Sequence, residues 1–107
     1  MTHPSKRKGN SYERELVKQC RSSGIEAKRA YASDGRSLGL HEEVDILVAG
    51  KKRIQAKRRK SIANYLRPNE NVDAVAFRED GGETLVLVTW WEYLDLLKAS
   101  ETVDEGD

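Results

Sequence analysis

Asp45, followed ten residues later by Gln55-Ala56-Lys57, is the part of this 107-residue chain whose residue types and spacing suit chemistry. The two halves lie in consecutive apolar runs, Val44-Asp45-Ile46-Leu47-Val48 and Arg53-Ile54-Gln55-Ala56-Lys57, joined by Ala49-Gly50-Lys51-Lys52. Glycine and charged residues between two β-prone runs predict a hairpin. A hairpin folds Asp45 back beside Gln55 and Lys57, and residues two apart on a strand share a face. One carboxylate, one amide oxygen and one ammonium then meet in a single patch. Carboxylate and carbonyl oxygens suit a hard cation such as Mg²⁺, and a lysine can steady a phosphate or a nucleophilic water. That is the layout of a metal-dependent phosphodiesterase. The pattern is short, and a plainer reading competes with it. Asp45 would then end a strand, and Lys57 would open the solvated run Lys57-Arg58-Arg59-Lys60.

The elements that must position these residues can be read from periodicity and punctuation. Residues 1–8 are expected as a flexible basic arm, residues 9–100 as one domain, and residues 101–107 as a frayed acidic tail. Asn10 or Ser11 can cap a first helix in which Tyr12, Leu16, Val17 and Cys20 recur at helical spacing and face a core. Ser22-Ser23-Gly24 ends it. Residues 25–31 predict a strand, and 32–43 a polar loop with Gly35, Gly39, Ser33 and Ser37. The hairpin supplies two strands and 61–66 a short helix stopped by Pro68. Two further strands are expected at 72–77 and 84–89, around the turn Glu79-Asp80-Gly81-Gly82. Residues 90–99 predict a last helix, with Trp91, Leu94 and Leu97 or Leu96 inward. The order is α-β-β-β-α-β-β-α, a mixed sheet flanked by helices.

Composition bounds the function class. Hydrophobic residues make up 37% of the chain and charged residues 35%, a modest core under a surface suited to a polyelectrolyte. A single cysteine, Cys20, excludes an internal disulfide and points to a reducing compartment; within a helix it is expected as a small buried residue. No segment has the length and apolarity of a membrane span, so a cytoplasmic protein with no membrane role is expected. The net charge of +1 conceals a polarity. Residues 1–67 carry 17 Lys and Arg against 7 Asp and Glu, whereas residues 68–107 carry 2 against 11. The basic half contains the chemical patch, and such fields attract phosphate backbones.

Two more stretches complete the pattern. The opening Arg7-Lys8-Gly9-Asn10-Ser11-Tyr12-Glu13-Arg14-Glu15-Leu16-Val17 and the segment Gly24-Ile25-Glu26-Ala27-Lys28-Arg29 precede Asp45 and Gln55-x-Lys57 in order. Together they resemble the PD-(D/E)XK nuclease superfamily and, within it, the archaeal-type Holliday-junction resolvases. The resemblance runs from about Lys6 to Lys57. It implies a restriction-endonuclease-like α/β fold, a homodimer, and a Mg²⁺-dependent endonuclease (Mn²⁺ substituting) that resolves branched DNA, a four-way junction, by paired symmetric nicks. By the same resemblance Glu13, Asp45 and Gln55 hold metal, and Lys57 joins them as a catalytic residue. Arg14 and Arg29 match phosphate-contacting arginines, since a planar guanidinium holds phosphate oxygens bidentately. Lys8, Ser33, Arg36, Arg58, Arg59 and Lys60 complete the expected DNA contacts.

Gln55 departs from the pattern, because the resolvases place glutamate there. A neutral amide oxygen weakens metal binding, and Glu42 or Glu43 could restore the charge. Two alternatives therefore stand beside the resolvase: a nuclease of this fold acting on other branched or duplex DNA, and a non-catalytic DNA-binding accessory. The loop at 32–43 is longer than the resolvases lead one to expect, which loosens the match of Ser33 to their serine near the scissile phosphate. His41 reads as a structural or surface residue, with a general-base role as the alternative. Trp90 and Trp91 read as one core and one interface residue, with base stacking as the alternative.

Overall fold

The computed structural model describes the backbone of residues 4–105 and the side chains of residues 9–101. The chain gathers into two compact units, Met1–Arg58 and Arg59–Asp107, where sequence reading drew one domain over 9–100. The first unit carries 14 Lys and Arg against 7 Asp and Glu, and the second 5 against 11, so the charge polarity follows the division.

The first unit opens with helix α1, Pro4–Ser22. The helix begins at Pro4, a residue whose fixed φ and missing N–H suit a first turn, and not at a cap on Asn10 or Ser11 after a flexible arm over 1–8; residues 1–3 of that arm lie outside the described residues. The inward face is the expected one, with Leu16, Val17 and Cys20 buried, although Tyr12 is only half-buried. Cys20 is a free thiol with no solvent exposure, and burial pushes its pKa up, as expected of a small core residue. The helix stops in a Schellman arrangement. Gly24 adopts φ +80°, its N–H bonds to Arg21 O at 3.0 Å, and Ile25 N–H bonds to Cys20 O at 2.9 Å. This turn sends strand β1, Ala27–Arg29, back beside α1.

β1, β2 (Ile46–Val48) and β3 (Lys52–Ile54) form one antiparallel sheet in that order. Arg29 pairs with Ile46, and Ile46 with Ile54. The core lies between α1 and this sheet, where Ile25, Ala27, Ala30, Val44, Ile46 and Val48 join the helix residues. Each large aliphatic side chain buried there contributes about 1.5–3 kcal/mol. The predicted hairpin is present, turning through Ala49 (φ 56°) and Gly50 (φ +69°). Its strands are shorter than the apolar runs, so Asp45, Gln55 and Lys57 flank the ladder rather than sit in it.

In the second unit β4 (Ala74–Phe77) and β5 (Leu85–Val88) form a two-stranded antiparallel sheet. Helix α2 follows at Trp90–Glu105, so the tail expected to fray from Glu101 is helical through Glu105. Thr89 caps it, its Oγ1 accepting Glu92 N–H at 3.2 Å, the N3 donor that helix starts leave free. Leu94 and Leu97 are buried as expected, whereas Trp91 and Leu96 are half exposed. Trp90 instead stacks on Tyr93, with ring centroids 5.6 Å apart.

The chain has the expected α/β, restriction-endonuclease-like fold, with two corrections of detail. The described strands pair only antiparallel, in two sheets rather than one mixed sheet. The helix expected at 61–66 is a single 3₁₀ turn, Asn64–Leu66. No helix among the described residues is long and apolar enough to cross a membrane.

Candidate active site

Asp45 enters the site through an irregularity in the ladder. Ile46 pairs with Ile54, yet Asp45 N–H also bonds to Ile54 O at 2.9 Å. Two residues of one strand therefore face one of the next, the pattern of a β-bulge, which re-aims a side chain. On its other side Asp45 O still accepts Ala30 N–H at 2.8 Å. The re-aimed carboxylate crosses to the outgoing strand, where its Oδ2 accepts Ala56 N–H at 2.7 Å. Ala56 stands between Gln55 and Lys57, so this bond ties Asp45 to the middle of the Gln55-x-Lys57 segment.

Asp45 is only 8% exposed, and among the described residues no cation pairs with it. A buried carboxylate with a single neutral donor is costly unless a cation completes it. A hard divalent ion that keeps much of its water needs only one or two such carboxylates. The donor chemistry therefore fits Mg²⁺, although no group of three or more His, Cys, Asp or Glu gathers as a metal site among the described residues.

Glu13 is the second buried carboxylate, 4% exposed on the sheet side of α1. Arg29 Nε donates to its Oε1 at 3.4 Å and Ser33 Oγ to its Oε2 at 2.6 Å. Ser33 Oγ also lies 3.5 Å from Asn10 Oδ1. Ser33 reaches Glu13 from a strained turn in which Ala32 (φ 52°) and Ser33 (φ 56°) both adopt left-handed backbone. Such strain persists where the surroundings over-determine it. Gly35, buried just beyond, lets the 41–44 segment pack against this loop, because a Cβ there would lie 2.1 Å from His41 O and 2.8 Å from Val44 Cβ.

The remaining candidates divide. Gln55 is exposed and lines an open cleft of about 380 Å³ with His41, Glu43, Val44, Arg53 and Ile54. Neither Asp45 nor Lys57 lines that cleft, so the three side chains expected in a single patch are not brought together there, and the tie from Asp45 to this segment is to the main chain of Ala56. Lys57 and Arg58 are exposed. Arg36 is clasped by Asp34, its Nε 3.0 and 2.9 Å from the two carboxylate oxygens. The Arg36 guanidinium holds the Asp34 carboxyl below its ordinary pKa. His41 Nδ1 accepts Glu43 N–H at 3.1 Å, which fixes its ring at the mouth of the Gln55 cleft. Arg59 and Lys60, both exposed, belong to the second unit, and the Lys8 side chain lies outside the described residues.

Sequence reading missed Lys18 and Arg21. With Arg14, Val17 and Arg29 they line a cleft of about 280 Å³ beside α1. The spacing of 14, 18 and 21 puts three cations on one helix face, a signal present in the sequence but masked by attention to the Glu-Arg-Glu motif.

The model of one protein family, the archaeal Holliday junction resolvase (hjc), matches residues 4–101. The chain belongs to that family. It is accordingly a Holliday-junction-resolvase-type endonuclease acting on DNA. No curated protein and no solved structure matches it. The family match spans α1, the bulged hairpin and α2, and the resolvase assignment gives the basic charge of the first unit its polyanionic counterpart.

Proposed function

We propose that this resolvase is a divalent-cation-dependent enzyme that binds four-way DNA junctions as a homodimer and releases them by paired symmetric nicks. The observation that carries the reading is the 2.7 Å bond from Ala56 N–H to Asp45 Oδ2. It ties a buried carboxylate, without a cation partner among the described residues, to the main chain of the residue between Gln55 and Lys57. Asp45, Glu13 and Gln55 would hold Mg²⁺ or Mn²⁺, which supplies a polarised water and neutralises charge building on the phosphate. Lys57 orients that water and stabilises the crowded phosphate as it gains charge. Ser33 and Arg29 fix the Glu13 carboxylate. Lys8, Arg14, Arg29, Arg36, Arg58, Arg59 and Lys60 hold the backbone of the junction; Arg36 does so once its clasp with Asp34 opens. A contact from Ser33 to the scissile phosphate, as the resemblance implies, would require its hydroxyl to leave Glu13. A junction has near two-fold symmetry and needs two cuts, which a C2 dimer delivers. Such an enzyme works where its DNA is, in the cytoplasm.

The second reading, a binding-only accessory, is favoured by one feature: the neutral Gln55 in place of a carboxylate. One experiment separates the two. A labelled four-way junction and a linear duplex of the same arms are incubated with Mg²⁺ or Mn²⁺, beside an Asp45→Ala control. We expect paired nicks in the junction alone, abolished in the variant and by chelation. Tight binding without nicks under either metal would leave the accessory reading standing, and equal cutting of the duplex would discard the junction preference.

A further inference from the structure

The cleft beside α1 contains more positive charge than the two arginines of the family motif. Arg14, Lys18 and Arg21 follow one another at intervals of four and three along the helix, and Arg29 comes across from β1. Val17, buried among the core residues, is the remaining lining residue. Among the described residues no acidic side chain lines the cleft and no carboxylate pairs with Arg14 or Lys18. Cations gathered on one face repel each other unless an anion lies among them.

Two of the four are already fixed. Arg21 Nη2 donates to Ala27 O at 3.1 Å, and Arg29 Nε donates to Glu13 Oε1 at 3.4 Å. A guanidinium has five N–H donors, so each keeps donors for a ligand while losing little freedom on binding it. Arg29 also makes the cleft continuous with the Glu13 cluster. Residues 14 and 21 are seven apart, which on a helix is about 10 Å along the axis. That length exceeds a single phosphate and suits a chain of them.

We infer that Lys18 and Arg21 extend Arg14 and Arg29 into a track for successive phosphodiesters of one junction arm, leading to the Glu13 side of the site. The track rests on the junction-binding reading but requires neither metal nor cleavage. Its test is therefore equilibrium binding of a fluorescein-labelled four-way junction in the presence of a chelator, measured across a range of salt. Among the described residues Lys18 has no hydrogen bond or ion pair, so Lys18→Ala should melt like the wild type. It should weaken binding and reduce the slope of log K against log salt by about 1, and Lys18→Arg should restore both. Adding Arg21→Ala should lower the slope by about 2, with the melting temperature checked because that side chain also holds Ala27 O. Wild-type affinity and slope in Lys18→Ala would overturn the track alone. A wild-type protein that does not bind the junction would overturn the track together with the junction reading.

Discussion

At the scale of single residues, the site turns on how two carboxylates are kept. Asp45 has one neutral donor and Glu13 has a hydroxyl and a guanidinium, so Asp45 is the less compensated of the two. Gln55 adjoins Ala56, the donor to that carboxylate, and brings no charge. Gln55→Glu should therefore tighten Mg²⁺ binding, read by calorimetry, by about 1–3 kcal/mol, the worth of a hydrogen bond or ion contact made charged, and keep or raise nicking. A folded variant with weaker metal binding would assign Gln55 to the cleft of His41 and Arg53 instead. Asp45 and the Gln55-x-Lys57 triplet were legible because residue type and spacing are written in the chain. The partners of Glu13 were not legible. Ser33 was matched to a phosphate contact, and only the left-handed turn at Ala32 and Ser33 reveals that its hydroxyl meets a carboxylate.

At the scale of elements, the loop at 31–44 behaves as a built part. Ser37 Oγ accepts Tyr31 N–H at 2.8 Å and donates to Asp34 O at 3.0 Å, and Asp34 accepts Arg36 N–H at 3.0 Å. Gly35 lies where any side chain would strike His41 O. Gly35→Ala should cost about 1–3 kcal/mol, as overpacking does, and should lower nicking beyond what the loss of stability explains, since it displaces Ser33 from Glu13. Thermal melting and activity at low temperature separate the two effects. An alanine variant that melts and cuts like the wild type would show the loop to be loosely held. The sequence marked these residues as a long polar loop and no more, because its order comes from side chain to main chain bonds that carry no periodicity. The hairpin and the face of α1 were read correctly for the opposite reason: alternation and helical spacing are periodic. The start of α1 was missed because polar residues at 4–10 lack an apolar stripe, and Gly9 and Asn10 are weak helix formers that read as a stop.

At the scale of the whole molecule, charge is sorted by unit. Fourteen Lys and Arg lie in residues 1–58 and eleven Asp and Glu in residues 59–107. Binding of a polyanion to the basic unit should weaken steeply with salt. Arg58→Ala with Arg59→Ala should weaken junction affinity and flatten that dependence by about 2 in slope; an unchanged slope would remove the run from the interface. The polarity was visible by counting, the first and last helices by their spacing, and the fold class through the family resemblance. The division into two antiparallel sheets was not, because strands three and four residues long carry too little pattern to reveal their partners.

The bond from Ala56 to Asp45 has one more consequence. Its donor is main chain, so it is indifferent to which side chains stand at 55 and 57. The scaffold can keep its aspartate aimed while those two neighbours are exchanged, and a lineage could retune its ion or its turnover there without refolding the hairpin. A glutamine at 55, where the resemblance leads one to expect glutamate, is then a change that the architecture tolerates by construction.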